Sequence, residues 1–382
     1  MGKEIVILGG GIGGQVAADV LGKALRGKHR VTLIDREKDF VFSPSLLWLM
    51  VGERSPKEIQ KPMARLSRRG VVVVQAEAQK IDVSQRDVET TKGTFPFDYL
   101  IIALGAELDP VRVPGFREGA LNLYHLDGVE KIYKTLQDFR GKRVVILVSS
   151  SPFKCPAAPY EGGLLVHDYL ARKRGLDIEV EIYSPEPFPM PVAGPKVGQG
   201  VVQMLESHGV RFYPGHKVVS IHPSEKKIIF EGAAEANYDL LIGVPPHAAP
   251  KVLKDSGLTN DAGWVPADPE TLRTQYPGIF ALGDAATVPI AGGKNLPKAG
   301  VFAHYQAEVV ARNILQELEG KTPSHRYNGS GWCAIETGNG KAAYGAGNFY
   351  AKEGPQIKLY SPSRFWHWGK IAFEKWWLWR RF

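Results

Sequence analysis

Cysteine is nearly missing from this chain: 382 residues contain two, Cys155 and Cys333. They are too few and too far apart for a disulfide scaffold or a CxxC zinc site, so no metal is expected. Long apolar runs are missing as well. None approaches the roughly 18 residues of a membrane-spanning helix. No cleavage site follows the first apolar segment, "EIVILGGGIGG", which runs into glycines, so we expect neither a signal peptide nor a transmembrane helix. The formal net charge is +8, yet no basic helix with base-reading residues accompanies it, and nucleic acid is not an expected partner. With 44% hydrophobic residues the chain is globular and long enough for two or more domains.

The absence with the most consequence is local. "SSSPFKCPAAPYEGG", Ser149 to Gly163, sits between a buried-strand pattern, "RVVILV", and a helix pattern, "LLVHDYLARKRG". A further strand pattern, "IEVEIYS", completes a βαβ unit. A dinucleotide fold keeps its glycine-rich phosphate loop at such a junction. Here Pro152, Pro156 and Pro159 remove N–H donors and stiffen the loop. We therefore expect the fold without NAD(P)H binding. The loop puts Cys155 at the C-terminal edge of a parallel sheet, where such folds bind ligands. A nearby helix N-terminus and the adjoining Lys154 favour an easily ionised thiol. Glu161, at the helix start, serves either the helix dipole or acid–base chemistry.

A complete phosphate loop stands at the start of the chain. A strand, Ile5 to Leu8, meets "GGGIGG" and then a helix. Gly9 allows the tight turn, Gly11 the approach of a pyrophosphate, and Gly14 close helix–strand packing. The helix N-terminus offers N–H groups to phosphate. The second strand, "HRVTLIDRE", ends in Asp35, placed for ribose hydroxyls. "FDYLIIALGA", with Gly105, resembles the segment that returns to the FAD domain in flavoproteins with two dinucleotide domains. "TQYPGIFALGDAATV" resembles their second FAD motif, in which Asp284 would bond the ribityl chain. Asp284 also reads as a helix N-cap. The three segments together imply FAD.

With "KCPAAPYEGG", "LPKAGVFAHYQAEVVARNI", "GWCAIETGNGKAAY" and "HWGKIAFEKWWLW" added, the whole chain resembles the sulfide:quinone oxidoreductase and flavocytochrome c sulfide dehydrogenase group. The resemblance implies that Cys155 and Cys333 meet on one face of the flavin. There they would cycle between a disulfide or polysulfide bridge and thiolates. It implies further that Lys298 and Gly300 lie near the flavin pyrimidine, Lys298 or the following helix N-terminus stabilising negative charge. Lys370 matches a lysine that approaches the same ring. Many quinone-reducing members carry a third cysteine before the second βαβ unit. Here "GALNLYHLDGVEKIYKTL" has none and offers Tyr124 or His125 instead, which argues against a cysteine-bound FAD. His304 stands where relatives often carry an acid, and we expect packing from it.

The last segment, "SPSRFWHWGKIAFEKWWLWRRF", holds five of the eight tryptophans. On a helical wheel His367, Lys370, Glu374 and Arg381 form one narrow stripe. Phe365, Trp368, Ala372, Phe373, Trp376 and Trp379 form a broad apolar face, interrupted by Lys375 and Arg380. That composition suits a helix lying in a membrane interface, its polar stripe toward the protein.

These readings give an α/β fold with two Rossmann-like domains and a C-terminal region carrying an amphipathic membrane-interface helix. The FAD domain would be discontinuous, 1–108 and 266–320. The second dinucleotide-type domain would span 109–265 and the quinone and membrane region 321–382. The expected enzyme is a peripheral protein of the cell membrane, bound through residues 362–382, with or without assembly into a homo-oligomer. It oxidises sulfide through the cysteine pair and passes electrons to a quinone. The alternatives are a flavoprotein subunit serving a cytochrome, a type II NADH:quinone oxidoreductase-like enzyme, and an FAD-bound membrane scaffold without activity.

Overall fold

The computed structural model describes residues 2–382. "EIVIL" and the centre of "RVTLID" are buried on both faces, as central strands of a covered parallel sheet must be. They pair in parallel, Leu8 opposite Ile34, within a five-stranded sheet ordered Ile279–Ala281, Tyr99–Ile102, Glu4–Leu8, Arg30–Asp35, Val71–Gln75. The helix Ile12–Leu25 makes the crossover between the first two strands and packs on the helix Gly300–Leu318.

A second parallel five-stranded sheet is ordered Leu121–Asn122, Leu240–Val244, Arg143–Val148, Glu179–Tyr183, Val210–Tyr213. The expected βαβ unit is present in it, with the helix Ala158–His167 between its strands. The third part of the chain is an antiparallel meander, Ser330–Gly338, Lys341–Asn348 and Gln356–Ser363.

The helix Arg364–Arg381 follows the meander, with the Ser363 hydroxyl accepting from the Trp366 N–H. It is built inside out. Four exposed aromatics, Phe365, Trp368, Trp376 and Trp379, face away from the protein. The stripe of His367, Lys370, Glu374 and Arg381 faces inward and is paired throughout. His367 Nδ1 lies 2.8 Å from Glu336 Oε2, and Lys370 Nζ 2.5 Å from Glu161 Oε1. Glu374 accepts from the Arg54 guanidinium at 2.9–3.0 Å and from the Ser45 hydroxyl at 2.6 Å. Arg381 Nη1 lies 2.7 Å from Asp19 Oδ2. Trp377 supplies the apolar anchor, stacked on Phe40 with ring centroids 5.0 Å apart. Buried pairs add little net stability, but each partner would be costly alone, so they fix the helix in one orientation. No helix of the described residues is long and apolar enough to cross a membrane.

Candidate active site

A cavity of about 930 Å³ runs from the first phosphate loop to the C-terminal helix. Gly11, Gly105, Cys155, Glu161, Asp284, Lys298, Gly300, Cys333 and Lys370 all line it. Gly9, Gly14 and Asp35 do not, because they shape the loop from behind. A Cβ on Gly14 would fall 1.8 Å from the Gly9 carbonyl oxygen, so only glycine lets helix and strand close up here. A Cβ on Gly11 would meet nothing within 4 Å, leaving the backbone open to a ligand. Asp35 Oδ2 accepts the Gly10 N–H at 2.5 Å and Oδ1 that of Glu37 at 2.7 Å. Two of its lone-pair positions remain for a ribose.

The residues present fit FAD. The phosphate loop is open at Gly11 and ends on the N-terminus of the helix Ile12–Leu25. At the other end of the groove, Asp284 Oδ1 is buried without a partner, as an acceptor awaiting a hydroxyl would be. Burial raises the Asp284 pKa, against the opposing charges of Lys298 and Lys154. Asp284 lies within the short turn Gly283–Ala285, whose N-cap is Leu282, so it does not cap a helix as the sequence also allowed.

Cys155 stands ahead of the helix Ala158–His167 and is held from both sides. Its N–H donates to the Lys298 carbonyl at 2.6 Å, and its own carbonyl accepts from Ala158 at 2.8 Å. Tyr124 donates its hydroxyl to the Lys154 carbonyl at 2.6 Å. Cys155 has φ 51°, in the left-handed region that residues with a Cβ avoid and that concentrates at functional positions. Cys333 reaches the same cavity from the strand Ser330–Gly338, and each thiol is free.

The expectation of an easily ionised Cys155 fails. Burial pushes its pKa up to about 12, with the Glu161 charge adding to the rise and Lys370 opposing it. Burial raises Cys333 too, followed by the charges of Cys155 and Glu161. Lys154 does not offset this. Its ammonium lies 5.5 Å from the Tyr124 ring centroid. Burial therefore disfavours the thiolate at either cysteine, and sulfur chemistry here calls for a nearby base.

Glu161 can be that base. It is buried rather than a surface charge on the helix dipole. Burial raises its pKa to about 7, against Lys370 and with the Glu336 charge. Burial depresses Lys370, but the Glu161 and Glu336 charges outweigh it and leave its pKa raised. The ammonium also lies 4.8 Å from the Trp48 ring centroid, and Arg54 covers the same indole at 4.4 Å.

The Lys298 side chain lines the cavity and is held by its own surroundings. Its ammonium donates to the Asp284 carbonyl at 2.6 Å and the Ala286 carbonyl at 3.2 Å. It sits 3.3 Å from the centroid of Trp264. Burial lowers its pKa to about 8, opposed by Asp284. The helix N-terminus at Gly300 lines the same cavity. His304 is buried, accepts the Trp377 indole N–H at 3.2 Å and also borders the cavity. His125 precedes the helix Leu126–Asp138, and burial lowers its pKa.

The second phosphate loop is locked by the chain itself. Glu186, buried, accepts from the Ser151 hydroxyl and the Tyr160 hydroxyl, each at 3.1 Å. Sequence reasoning missed Glu186, as it missed Glu336, Arg54 and Trp264. An acid inside the apolar strand around "CAIETG" was the one visible signal for Glu336.

Two parallel Rossmann-like sheets around a shared cavity, with an FAD loop at one end and two thiols at the other, define a flavoprotein oxidoreductase. The chain belongs to the pyridine nucleotide-disulphide oxidoreductase family, which it matches over residues 3–307. Members of this family bind FAD. The chain is 26% identical over 350 residues to the mitochondrial sulfide:quinone oxidoreductase of Mus musculus, covering 88% of this chain and 76% of that one. To the sulfide-quinone reductase of Aquifex aeolicus it is 26% identical over 404 residues, covering 100% and 91%. The crystal structure of the Aquifex aeolicus sulfide:quinone oxidoreductase superposes with a TM-score of 0.89, at 24% identity, over 99% and 91% of the two chains. A type II NADH:quinone oxidoreductase of Staphylococcus aureus is 24% identical over 341 residues, covering 84% of each chain.

Proposed function

We propose that this enzyme oxidises sulfide at Cys155 and Cys333 and passes the electrons to a quinone. The observation that carries the reading is that two thiols far apart in sequence, the only two in the chain, line the cavity that begins at the FAD loop. In the resting state the two cysteines are bridged. Hydrosulfide attacks one sulfur, the bridging S–S bond breaks, and the other cysteine leaves as a thiolate. The new S–S bond holds the substrate sulfur, and its proton passes to a Glu161 carboxylate oxygen. Two electrons leave as the freed thiolate and the persulfide rejoin through the added sulfur; FAD, held by the Gly9–Gly14 loop, Asp35 and Asp284, would supply the two-electron acceptor between them and the quinone. Lys370 holds Glu161 in place, and Phe42, Trp332, Phe373 and Trp377 exclude water from the far end of the cavity. Trp376 both lines that end and is exposed, which suits entry of an apolar quinone there.

The relative that uses NADH raises a second reading, and the Ser151–Glu186–Tyr160 lock argues against it. Anaerobic addition of sulfide and then of NADH to the purified protein, followed by the flavin absorbance, decides between them. We expect NADH and NADPH to bleach the flavin at least about 100-fold more slowly than sulfide, since the loop can no longer cradle a pyrophosphate. Comparable rates would overturn this.

Glu161→Gln tests the base. The carboxylate form is present above about pH 7, so the native rate of flavin bleaching should rise through that range. The variant should lose this limb and be slower by about 100-fold on the alkaline side. Hydrogen sulfide titrates too, so the two proteins are compared at each pH. Parallel profiles would remove Glu161 from the chemistry.

A further inference from the structure

Glu336 has no part in the reaction above, yet it is an acid on an apolar strand, 1% exposed. Its Oε2 lies 2.8 Å from His367 Nδ1, while Oε1 is buried without a partner. A half-satisfied buried carboxylate is costly and rarely kept without use. An ordered water on Oε1 would resolve it. The charged and titratable groups around Glu161 are Lys370, Glu336, Cys155 and Cys333, and those of Glu336 include Lys370 and His367. His367 stands at the start of the helix Arg364–Arg381 and keeps 15% of its side-chain exposure. Glu161 stands on the helix Ala158–His167, which packs on the strand Ser330–Gly338 that carries Cys333 and Glu336, and their partners Lys370 and His367 share the C-terminal helix, so exchangeable groups follow one another from the thiols toward the surface.

We propose that Glu336 and His367 form the proton exit of the cysteine site, carrying the proton from Glu161 across one water at Glu336 Oε1 and out through the imidazole. The inference rests on the sulfide reading. Taking hydrosulfide to the oxidation level of sulfur releases two electrons and one proton. The electrons would leave by way of the bound FAD. A quinone reduced by two electrons takes up two protons, so the whole reaction consumes one proton net; the proton left on Glu161 must still leave the cysteine side of the cavity, or Glu161 stays protonated and the next turnover stalls. An imidazole suits the rim, because it accepts a proton on one nitrogen and releases one from the other. Lys370 cannot replace this path. It keeps its own proton and holds Glu161 by charge. Neither Glu336 nor His367 touches substrate, and both act through Glu161.

The test uses the full-length, FAD-loaded protein, with sodium sulfide as the probe and anaerobic stopped-flow bleaching as the readout. His367→Gln and Glu336→Gln should each bleach about tenfold more slowly under repeated turnover with quinone, with a larger solvent deuterium isotope effect. Added imidazole should restore most of the rate to His367→Gln and none to Cys155→Ser. A second readout needs no turnover. The infrared band of the protonated Glu161 carboxyl, assigned with Glu161→Gln, should titrate at lower pH in Glu336→Gln, because the Glu336 charge raises it. Native rates in both variants would overturn the exit path. So would slow variants with an unchanged isotope effect and no response to imidazole, which mark a structural role. If Glu336→Gln loses FAD, His367→Gln carries the test alone. Native bleaching by Cys155→Ser would instead sink the sulfide reading and this inference with it, so the two failures are told apart.

Discussion

Serine at position 155 or 333 is expected to slow sulfide-driven bleaching of the flavin by about 10⁴-fold or more, with the oxidised FAD spectrum intact. The size follows from chemistry rather than packing. A hydroxyl is far harder to ionise than a thiol and cannot hold a second sulfur. Neither change should disturb the fold, since both side chains are small and neither sulfur makes a strong hydrogen bond; the one recorded is Cys333 to the Ala334 carbonyl at 3.8 Å. The FAD loop at Gly9–Gly14 and the Asp284 carboxyl lie on other elements, so cofactor content is the control. Stopped-flow bleaching and the visible spectrum together make the measurement. A Cys155→Ser protein that bleaches at the native rate would reduce the proline-rich loop to a block on NAD(P)H. The left-handed backbone at Cys155 sharpens the contrast. Cys155→Gly would relieve the strain and raise stability slightly, yet it should be as inactive as serine.

The elements that local sequence dictates were legible. "EIVILGGGIGG" specifies strand, turn and helix within a dozen residues, and the structure adds only the clash that makes Gly14 obligatory. The polar stripe of the C-terminal helix was legible for the same reason, because helical periodicity is local. Its partners were not. Glu336, Arg54 and Asp19 come from three distant elements, and no spacing rule joins them to His367, Glu374 and Arg381. Charge states were the least legible. A helix N-terminus and a neighbouring lysine argue for a thiolate at Cys155, but burial outweighs both, and burial belongs to the folded molecule. Lys298 shows the same limit. The motif marks its position, while Trp264 and two carbonyls decide where its ammonium points.

Replacing Phe365, Trp368, Trp376 and Trp379 together by glutamine is expected to release the protein from membrane vesicles, with FAD still bound. We propose that this face lies in the membrane interface. All four side chains are exposed, with Trp379 at 80%, and Lys375 and Arg380 are exposed beside them. Basic residues flanking exposed indoles match the headgroup level of a bilayer. A large apolar side chain gains about 1.5–3 kcal/mol on full burial, so half-immersion of four would give about 4 kcal/mol. That is roughly 10³-fold in partitioning. Removing the whole helix would be a poorer test. It would strip Glu374 from Arg54, Arg381 from Asp19 and Lys370 from Glu161, and leave buried charges unpaired at about 3–5 kcal/mol each. The four outward substitutions touch none of those pairs. Sedimentation with vesicles containing anionic lipid should fall by about that factor, while bleaching by sulfide in solution stays at the native rate. Reduction of a long-chain quinone held in the vesicles should fall together with binding, because the cavity opens beside Trp376. Unchanged sedimentation would place the membrane contact elsewhere on the molecule.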